Sequence, residues 1–429
     1  MRKQVSWKLG AALVFVLVSL FDSPHPAGAE GQTPIEIRIA PRDFLIANEA
    51  RRMGLGYEGT SPYYDLVLQT ILFINRGEGT VTLEGATIEL LREGVVIQQT
   101  AIATAELLRA QGVAAEISRM GFQTALDVQC SLSSILPEGV TISPTLALGR
   151  GTAGLVDDYY LVTRSLPDAV RITARARSEA GAAITGEATF PVRSYQPRNS
   201  YAFPLEAGEW YVLSYPGLNG HHRWTAATEH GLDITKVDSR GSWARGDIAD
   251  WRTGRVARWE DWYAYNKRVL AAADGVVVKV VSNVEFPLSF WNRRDGESLA
   301  DYRQRLDERQ IELFLAPGAD PAAVAGGNHI VIRHPGDEYS FYGHLAYGSI
   351  RVKEGQKVAR GEHIAGVGGT GEVPAVHLHF QVSDSPSATA SRTFPIEFTN
   401  VHVNEQFVDV FEPRLVFQSG YFLTTDAPR

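Results

Sequence analysis

The segment Val376-His377-Leu378-His379-Phe380 carries the pattern from which the fold around it can be predicted. Side chains alternate between the two faces of a β-strand, so His377 and His379 are expected on the same face. Their Cα atoms are expected roughly 6–7 Å apart, from a rise of about 3.3 Å per residue. Leu378 and Phe380 then point to the opposite face and can enter a hydrophobic core. The segment predicts a strand with an apolar back that presents two imidazoles together.

Two imidazoles on one face can divide the work of a metal site, because one can bind the metal and the other can move protons. The alternative is a pair of surface histidines on an amphipathic strand. The spacing alone does not separate these interpretations, so the rest of the chain has to decide between them.

The N-terminus has the composition of a secretory signal peptide over residues 1–29. Arg2, Lys3 and Lys8 form a basic start. The apolar run Leu9–Phe21 is too short to cross a bilayer comfortably, and Ala27-Gly28-Ala29 offers a small-residue cleavage site. An uncleaved anchor is the alternative. The sequence therefore predicts a periplasmic or secreted protein without a stable membrane anchor after signal cleavage.

The charge balance of the 429-residue chain is acidic, with a formal net charge of −8. The predicted signal contains three basic residues and Asp22, so its removal takes the charge to −10. This balance argues against nucleic acid as a partner, because phosphate binding needs a basic patch. Cys130 is the only cysteine, so no disulfide can form within the chain. The exported protein has to be stabilised by its core and by any metal it binds.

Residues 34–195 show many short strand patterns separated by turn signals. Ile35-Glu36-Ile37-Arg38-Ile39 alternates clearly, and Asn75-Arg76-Gly77-Glu78-Gly79 is a typical turn. Further strands are predicted at Leu66–Ile74, Thr80–Leu91, Val95–Gln99, Tyr159–Thr163, Val170–Ala176 and Ala183–Val192, with a helix around Ala105–Gln111. The pattern predicts an N-terminal antiparallel β-sandwich. A spacer, an autoinhibitory module and a binding module are all compatible with this region.

The alternation ends at Arg193–Asn199, which is typical of a linker, and a second domain is predicted over residues 200–429. Its sequence contains the ordered blocks GLDI, VLAAADGVVVKV, GNHIVIRH, YSFYGHL, VKEGQKVARGEHIAGVGGTG and VHLHFQV. This order, over residues 205–400, resembles the M23 peptidase family, the lysostaphin/LytM-type zinc endopeptidases. The resemblance implies an antiparallel β domain with a groove, one Zn²⁺, and cleavage of peptide bonds in bacterial cell-wall crosslinks.

The resemblance also implies roles for individual residues. His379 and Asp233 match metal ligands of the family, and His344 and His377 match the two histidines that act on the water and the transition state. Two histidines and one carboxylate would leave the fourth zinc position open. A neutral histidine can accept a proton from water, and a protonated one can stabilise an oxyanion.

The third metal ligand departs from the usual family pattern. The family places a histidine four residues before the aspartate, where this chain has Glu229. His230 is three residues before Asp233 and would face away on a regular strand. Branches of the β-lytic type place this histidine further upstream after a glycine, as in Gly220-His221-His222. His222 is therefore the predicted ligand, and His221, Glu229, His230 and the loss of this ligand stay open as alternatives.

Two insertions are predicted between the core strands. Asp238–Lys267 contains four tryptophans, which indicate packing or a binding surface. Glu297–Leu315 has apolar residues at helical spacing, with Ser298 as a predicted N-cap and Pro317 as a stop signal. Three other histidines of the domain, His329, His334 and His363, are expected to be structural.

The glycine-rich stretch Gly366–Gly371 matches GxGxxG, but a strand follows it where nucleotide binding would need a helix. The stretch is therefore interpreted as a loop beside the groove. The complete chain is predicted to be all-β, with an N-terminal sandwich followed by an M23-type groove domain with helical insertions.

The predicted function is that of an exported zinc metalloendopeptidase that hydrolyses peptide crosslinks of peptidoglycan, with a cell-wall protein as a further partner. The alternative is a non-catalytic M23-like regulator that binds cell-wall peptides or hydrolases. A complete set of metal ligands favours the first interpretation.

Overall fold

The computed structural model of the protein describes the residues listed at the end of this paragraph, and they belong to one compact unit. The predicted signal peptide, His221, Trp251 and Pro317 lie outside the described residues. The division into two domains at residues 195–200 stays a prediction. The described ranges are 34–50, 63–119, 130–214, 222, 225–239, 241–245, 258–285, 293–316, 318–371, 373, 375–388, 390–405, 408–410 and 422–426.

Two sheets are formed by the first half of the chain. The first sheet consists of β1 (Ile35–Ala40), β3 (Asn48–Ala50), β4 (Tyr63–Asn75), β7 (Thr141–Ile142) and β9 (Thr152–Thr163). The second consists of β2 (Leu45–Ile46), β5 (Val81–Arg92), β6 (Val95–Ala103), β8 (Ala147–Leu148), β10 (Ala169–Ser178) and β11 (Ala183–Arg193). The helices of this half are α1 (Thr104–Arg119) and α2 (Leu132–Ile135).

The strand order is β1-β4-β9-β7 in the first sheet and β2-β11-β10-β5-β6 in the second. All pairings are antiparallel except β2 with β11 and β7 with β9. Both sheets contribute to one hydrophobic core, for example Ile35 and Ile39 from β1 and Val170 and Ile172 from β10. Each fully buried side chain of this kind contributes about 1.5–3 kcal/mol through its removal from water.

Each predicted strand of this half corresponds to an observed one, and the all-β fold class is confirmed. The structure extends the predicted strand Tyr159–Thr163 back to Thr152, because the segment TAGLV pairs with β4 although it contains a glycine. It also extends the predicted helix Ala105–Gln111 to Arg119, through Gly112. In both cases contacts outweigh the weak local propensity of glycine.

A large antiparallel sheet is formed by the second half. Its strands are β12 (Gly208–Ser214), β13 (Leu232–Thr235), β15 (Gly275–Val281), β16 (Asn328–His334), β17 (Glu338–Leu345), β18 (Lys357–Val358), β20 (Leu378–Ser383), β21 (Thr393–Phe394), β22 (Val401–Glu405), β23 (Val408–Val410) and β24 (Phe422–Thr425). They pair in the order β18-β15-β16-β17-β20-β13-β12-β24-β22-β23, with β21 beside β20. A separate pair is formed by β14 (Arg268–Leu270) and β19 (His363–Gly366).

The position of β20 decides where the histidines lie. β20 pairs with β17 on one side and with β13 on the other. Leu378 and Phe380 are fully buried in the hydrophobic core. His379, the second histidine of the segment His377-Leu378-His379 (the HxH segment), therefore lies on the opposite face.

The two insertions have different structures. The second forms α3 (Leu299–Leu315), and Ser298 is its N-cap, because its side chain accepts a hydrogen bond from the backbone N–H of Asp301. A shorter helix, α4 (Pro321–Gly326), follows it. In the first insertion, Trp262 is part of the core, which favours the packing interpretation for this tryptophan. Among the helices of the described residues, none combines the length and hydrophobicity needed to cross a membrane.

The predicted linker is fixed to the second half by one carboxylate. Glu338, at the start of β17, is 1% exposed. Its oxygens accept hydrogen bonds from four groups, namely the Tyr195 hydroxyl, the Arg198 N–H at 2.7 Å, the Asn199 amide at 2.7 Å and the Tyr201 hydroxyl at 2.8 Å. Burial raises the pKa of Glu338, but these hydrogen bonds outweigh it, so its pKa is lowered overall. The segment predicted as a linker is therefore bound along its length.

Candidate metal centre

The centre is built on Asp233 of β13 and His379 of β20, which lie directly opposite each other in the antiparallel register. Nδ1 of His379 is 3.0 Å from Oδ1 of Asp233. His377 immediately precedes β20, forms an isolated bridge with Gly368, and places Nε2 3.4 Å from the same carboxylate oxygen. The two histidines of the HxH segment therefore share one face, as the alternation predicted.

His222 reaches the same carboxylate from a turn. Its Nε2 is 2.9 Å from Oδ2 of Asp233, and the centroids of the His222 and His379 rings are 4.6 Å apart. The His222 carbonyl accepts hydrogen bonds from the N–H of Thr225 and the hydroxyl of Thr228, which tie it to the following turn. One ligand atom from each of His222, Asp233 and His379 lies within 4.8 Å of the other two. This group has the spacing of a metal site.

The hydrogen bonds of Gln381 indicate which nitrogen of His379 is available as a metal ligand. The Gln381 amide NH₂ donates to the carbonyl of Ala227 at 2.7 Å, so its Oε1 faces Nε2 of His379 at 2.9 Å. Because Oε1 can only accept, His379 must carry a proton on Nε2. In the neutral ring, Nδ1 then presents a lone pair to the Asp233 carboxylate. Two acceptors 3.0 Å apart need a cation, either a second proton or a metal ion, and Zn²⁺ takes both imidazole nitrogen and carboxylate oxygen.

His344 lies beside this group, on β17. The centroids of the His344 and His377 rings are 4.6 Å apart. Nδ1 of His344 is 2.9 Å from the carbonyl of Thr370, and Nδ1 of His377 is 2.8 Å from the carbonyl of Ala375. Because carbonyl oxygens only accept, both rings carry a proton on Nδ1, and Nε2 is the nitrogen that can exchange a proton.

Burial and the neighbouring charges shift the pKa values of His344, His377 and Asp233 in different directions. Burial lowers the pKa of His344 well below its usual value, and the nearby His377 and His379 act in the same direction. Burial also lowers the pKa of His377, but the charge of Asp233 and the hydrogen bond to it raise the pKa overall. For Asp233, burial raises the pKa, but His222 and His377 outweigh this and hold it well below the usual value. Asp233 is therefore a carboxylate at neutral pH.

The alternative third ligands lie elsewhere or outside the described residues. Nε2 of His230 is 3.0 Å from Oδ1 of Asn48, and its Nδ1 is 3.1 Å from the carbonyl of Thr393. Glu229 is also buried, and burial, with Asp65 nearby, raises its pKa to about 8. Neither side chain belongs to the group around Asp233. Among the described candidates, His222 is the one that the fold brings to Asp233.

The other histidines have structural partners. His334 is hydrogen-bonded to the carbonyl of Asp274 and the hydroxyl of Ser340, and His329 to the carbonyl of Gly327. Nε2 of the half-buried His363 is 3.0 Å from the carbonyl of Ala365. These contacts agree with the structural roles expected for them.

Sequence reasoning missed two residues of the centre. Gln381 is two residues after His379 in the strand, so the same alternation that pairs the histidines could have placed it on their face. For Gly231, no pattern in the sequence indicates that it belongs to the centre. A Cβ at Gly231 would lie 2.7 Å from Cε1 of His379, so a side chain there would displace the imidazole. The close approach of the turn to the ring depends on this glycine.

A comparison with protein families matches one part of the second half of the chain. The family model described as Peptidase family M23 matches residues 318–391, a range that contains His344, His377 and His379. The resemblance to the M23 peptidase family is confirmed. The matched range does not include Asp233 or His222, so the assignment of these two residues rests on the geometry described above.

A curated relative matches a short part of the chain. The peptidoglycan DD-endopeptidase ShyA of Vibrio cholerae is 45% identical over 56 residues, which are 13% of this chain and 13% of ShyA. The match thus spans about an eighth of the length of this relative.

Solved structures of peptidases also match, at low similarity. The catalytic domain of the M23 protein EnpA from Enterococcus faecalis covers 46% of this chain and 94% of its own, at 16% identity and a TM-score of 0.25. The match to the lysostaphin catalytic domain from Staphylococcus simulans covers 44% of this chain and 88% of that domain, at 17% identity and a TM-score of 0.22. The match to a zinc-containing peptidase from Vibrio cholerae covers 75% of this chain and 77% of that peptidase, at 13% identity and a TM-score of 0.24.

Proposed function

We propose that the protein is an exported zinc metalloendopeptidase that hydrolyses peptide crosslinks of bacterial peptidoglycan. The observation that carries the proposal is the convergence of His222 and His379 on the buried carboxylate of Asp233, with His344 and His377 beside them. The peptidoglycan activity named for the relative ShyA supports the substrate class.

The residues that would hold Zn²⁺ are His222, Asp233 and His379, which together form a two-histidine, one-carboxylate set. When bound, zinc supplies a Lewis acid that makes a water more acidic and polarises a carbonyl. Gln381 orients His379, because its Oε1 accepts a hydrogen bond from Nε2–H and leaves Nδ1 as the ligand atom.

His344 and His377 would carry the proton transfers. Their Nδ1 atoms are held by backbone carbonyls, which fix the ring orientation. In the neutral form, Nε2 of either ring can accept a proton from an attacking water. In the protonated form, it can donate a hydrogen bond to the oxyanion that develops at the scissile carbonyl and a proton to the leaving amine. A pair of histidines can therefore serve both stages of peptide hydrolysis.

Export is part of the proposal and is supported by the composition of residues 1–29. A periplasmic or secreted location would place the protein at its proposed substrate. The acidic net charge is compatible with a peptide substrate and gives no support for nucleic acid.

A second candidate function is that of a non-catalytic M23-like protein that binds cell-wall peptides or hydrolases. One observation favours it: the position where the family usually has a ligand histidine is Glu229, which is buried away from Asp233. The two candidates make different predictions for metal content and turnover.

The test uses purified protein without its signal peptide. We expect about one zinc per chain by atomic absorption, and release of soluble peptide fragments from isolated peptidoglycan by mass spectrometry. Treatment with a chelator should stop the release, and zinc should restore it. Zinc without any release from several wall types would favour the binder, and absence of both zinc and release would refute the proposed enzyme.

A further inference from the structure

The turn that presents His222 has two sides, and only one of them faces the metal centre. We call residues 225–231 the ligand turn. It is bound to the His222 carbonyl through the N–H of Thr225 at 3.2 Å, and it is closed by a hydrogen bond from the N–H of Gly231 to the carbonyl of Thr228 at 2.7 Å. On the side of the metal centre, the carbonyl of Ala227 accepts from Gln381. The position of His222 therefore depends on how this turn is held.

The other side of the ligand turn is held by the first half of the chain. Nε2 of His230 is 3.0 Å from Oδ1 of Asn48 in β3. The amide NH₂ of Asn48 donates to Oδ1 of Asp65 at 3.0 Å, and the hydroxyl of Tyr160 donates to Oδ2 of Asp65 at 2.7 Å. Because the Asp65 carboxylate only accepts, the Asn48 NH₂ must face it, and Asn48 Oδ1 must face His230. The neutral His230 ring donates to Asn48 when its proton is on Nε2, and its Nδ1 can then accept a hydrogen bond from the Thr393 hydroxyl at 3.3 Å.

The segment that carries Asn48 is itself packed against the second half. Asn48 lies opposite Asp65 in the pairing of β3 with β4. Just before it, Ile46 is 4% exposed and belongs to the hydrophobic core of the second half. The guanidinium of Arg392 lies 3.6 Å from the centroid of the Phe44 ring. These contacts hold residues 44–48 in place, so Asn48 is a fixed acceptor for His230.

We propose that Asn48 is a positioning residue of the metal centre, through which the first sheet holds the ligand turn so that His222 lies against Asp233. This inference rests on the proposed metal-binding function. It assigns the first half of the chain a role in the geometry of the centre, in addition to any role as a spacer or binding module. The link spans 182 residues of sequence, from Asn48 to His230.

The test compares the zinc affinity of variants of both halves together, without the predicted signal peptide, by competition with a chromophoric chelator. Asn48→Ala removes the acceptor for His230, and we expect the dissociation constant for zinc to rise about tenfold, the lower end of the effect seen for residues that orient metal ligands. Asn199→Ala is the matched control, because Asn199 also joins the linker region to the second half but bonds Glu338 and the carbonyl of Pro335. Its zinc affinity should stay within about twofold of the parent.

Thermal unfolding of the metal-free proteins separates positioning from general stability. Both asparagine variants should lose stability, whereas only Asn48→Ala should lose zinc affinity. If Asn48→Ala does not fold, Asn48→Ser, whose hydroxyl is too short to reach both partners, replaces it with the same expectation. An unchanged zinc affinity of the Asn48 variant, or an equal loss in Asn199→Ala, would overturn the positioning role while leaving the proposed enzyme intact. A parent protein that binds no zinc would instead refute the proposed function.

Discussion

Nδ1 of His379 lies 3.0 Å from Oδ1 of Asp233, although 146 residues separate them in sequence. The contact follows from the register of β13 and β20, which places the two residues opposite each other. A shift of one residue would turn His379 to the core face, because side chains alternate along a strand. Since Gln381 holds the proton of the ring on Nε2, the remaining nitrogen and the carboxylate together attract a cation.

His379→Ala and Asp233→Ala should each abolish stoichiometric zinc binding, because each removes a ligand from a set of three. The measurement is metal content by atomic absorption, with circular dichroism to show that the β fold is retained. His363→Ala is the control, since His363 lies outside the centre and should leave zinc unchanged. Full zinc content in either ligand variant would contradict the assignment.

His344→Ala and His377→Ala should retain zinc but lower the turnover at least about 100-fold, the effect typical of removing a general acid or base. Release of fragments from isolated peptidoglycan measures the turnover. His402→Ala, a substitution of a histidine paired with Asp426, is the control and should remain active. Turnover near that of the parent in both variants would exclude the roles proposed for the pair.

His222→Ala should weaken zinc binding more than about 100-fold, because a direct ligand contributes more than the residues that orient ligands. Glu229→Gln is the control at the position where the family usually has the ligand. Its side chain lies away from Asp233, so the zinc affinity should be unchanged. If Glu229→Gln weakens zinc binding and His222→Ala does not, Glu229 rather than His222 is the third ligand.

Gln381→Met removes both hydrogen bonds of this buried side chain at nearly constant volume. We expect the zinc affinity to fall about 10–100-fold, because His379 loses the acceptor that fixes its tautomer. Gln356→Met is the control, since Gln356 bonds Lys353 and Glu362 away from the centre. An affinity equal to that of the parent would show that the strand alone orients His379.

Glu229→Gln should stabilise the protein at high pH and have little effect at low pH. Burial raises the pKa of Glu229 from 4.5 to about 8, so the folded state holds the proton more tightly than the unfolded state. The stability of the parent therefore falls as the pH rises from 4.5 to about 8, whereas glutamine does not titrate. At about 1.4 kcal/mol for each pKa unit, the difference in unfolding free energy is on the order of a few kcal/mol.

Urea unfolding at a pH below 4.5 and at a pH above 8 measures this difference. The parent and the variant are compared at each pH, so titrations of other groups cancel. A stability difference of the same size at both pH values would show that Glu229 is already ionised in the folded protein at neutral pH.

The sequence predicts much of the local structure, because the signals are short-range. The alternation in residues 35–39 corresponds to β1, and the serine before the second insertion is the N-cap of α3. The HxH spacing correctly places His377 and His379 on one face. The order of the motifs also indicated the M23 resemblance that the family comparison confirms.

The choice of His222 among four candidates could not be made from spacing with the same certainty. A turn has no fixed periodicity, so the direction of a side chain depends on what binds the turn from both sides. Here Gln381 holds one side and Asn48 the other.

The amino-acid sequence by itself determined which faces of the strands are apolar, where α3 begins, and that His377 and His379 are presented together at the start of β20. Only the tertiary structure decided that His222 meets Asp233, that Gln381 orients His379, and that Asn48 reaches His230. The reason is physical: the first set follows from alternation and capping within a few residues, whereas the second depends on strand register and packing between segments far apart in the chain.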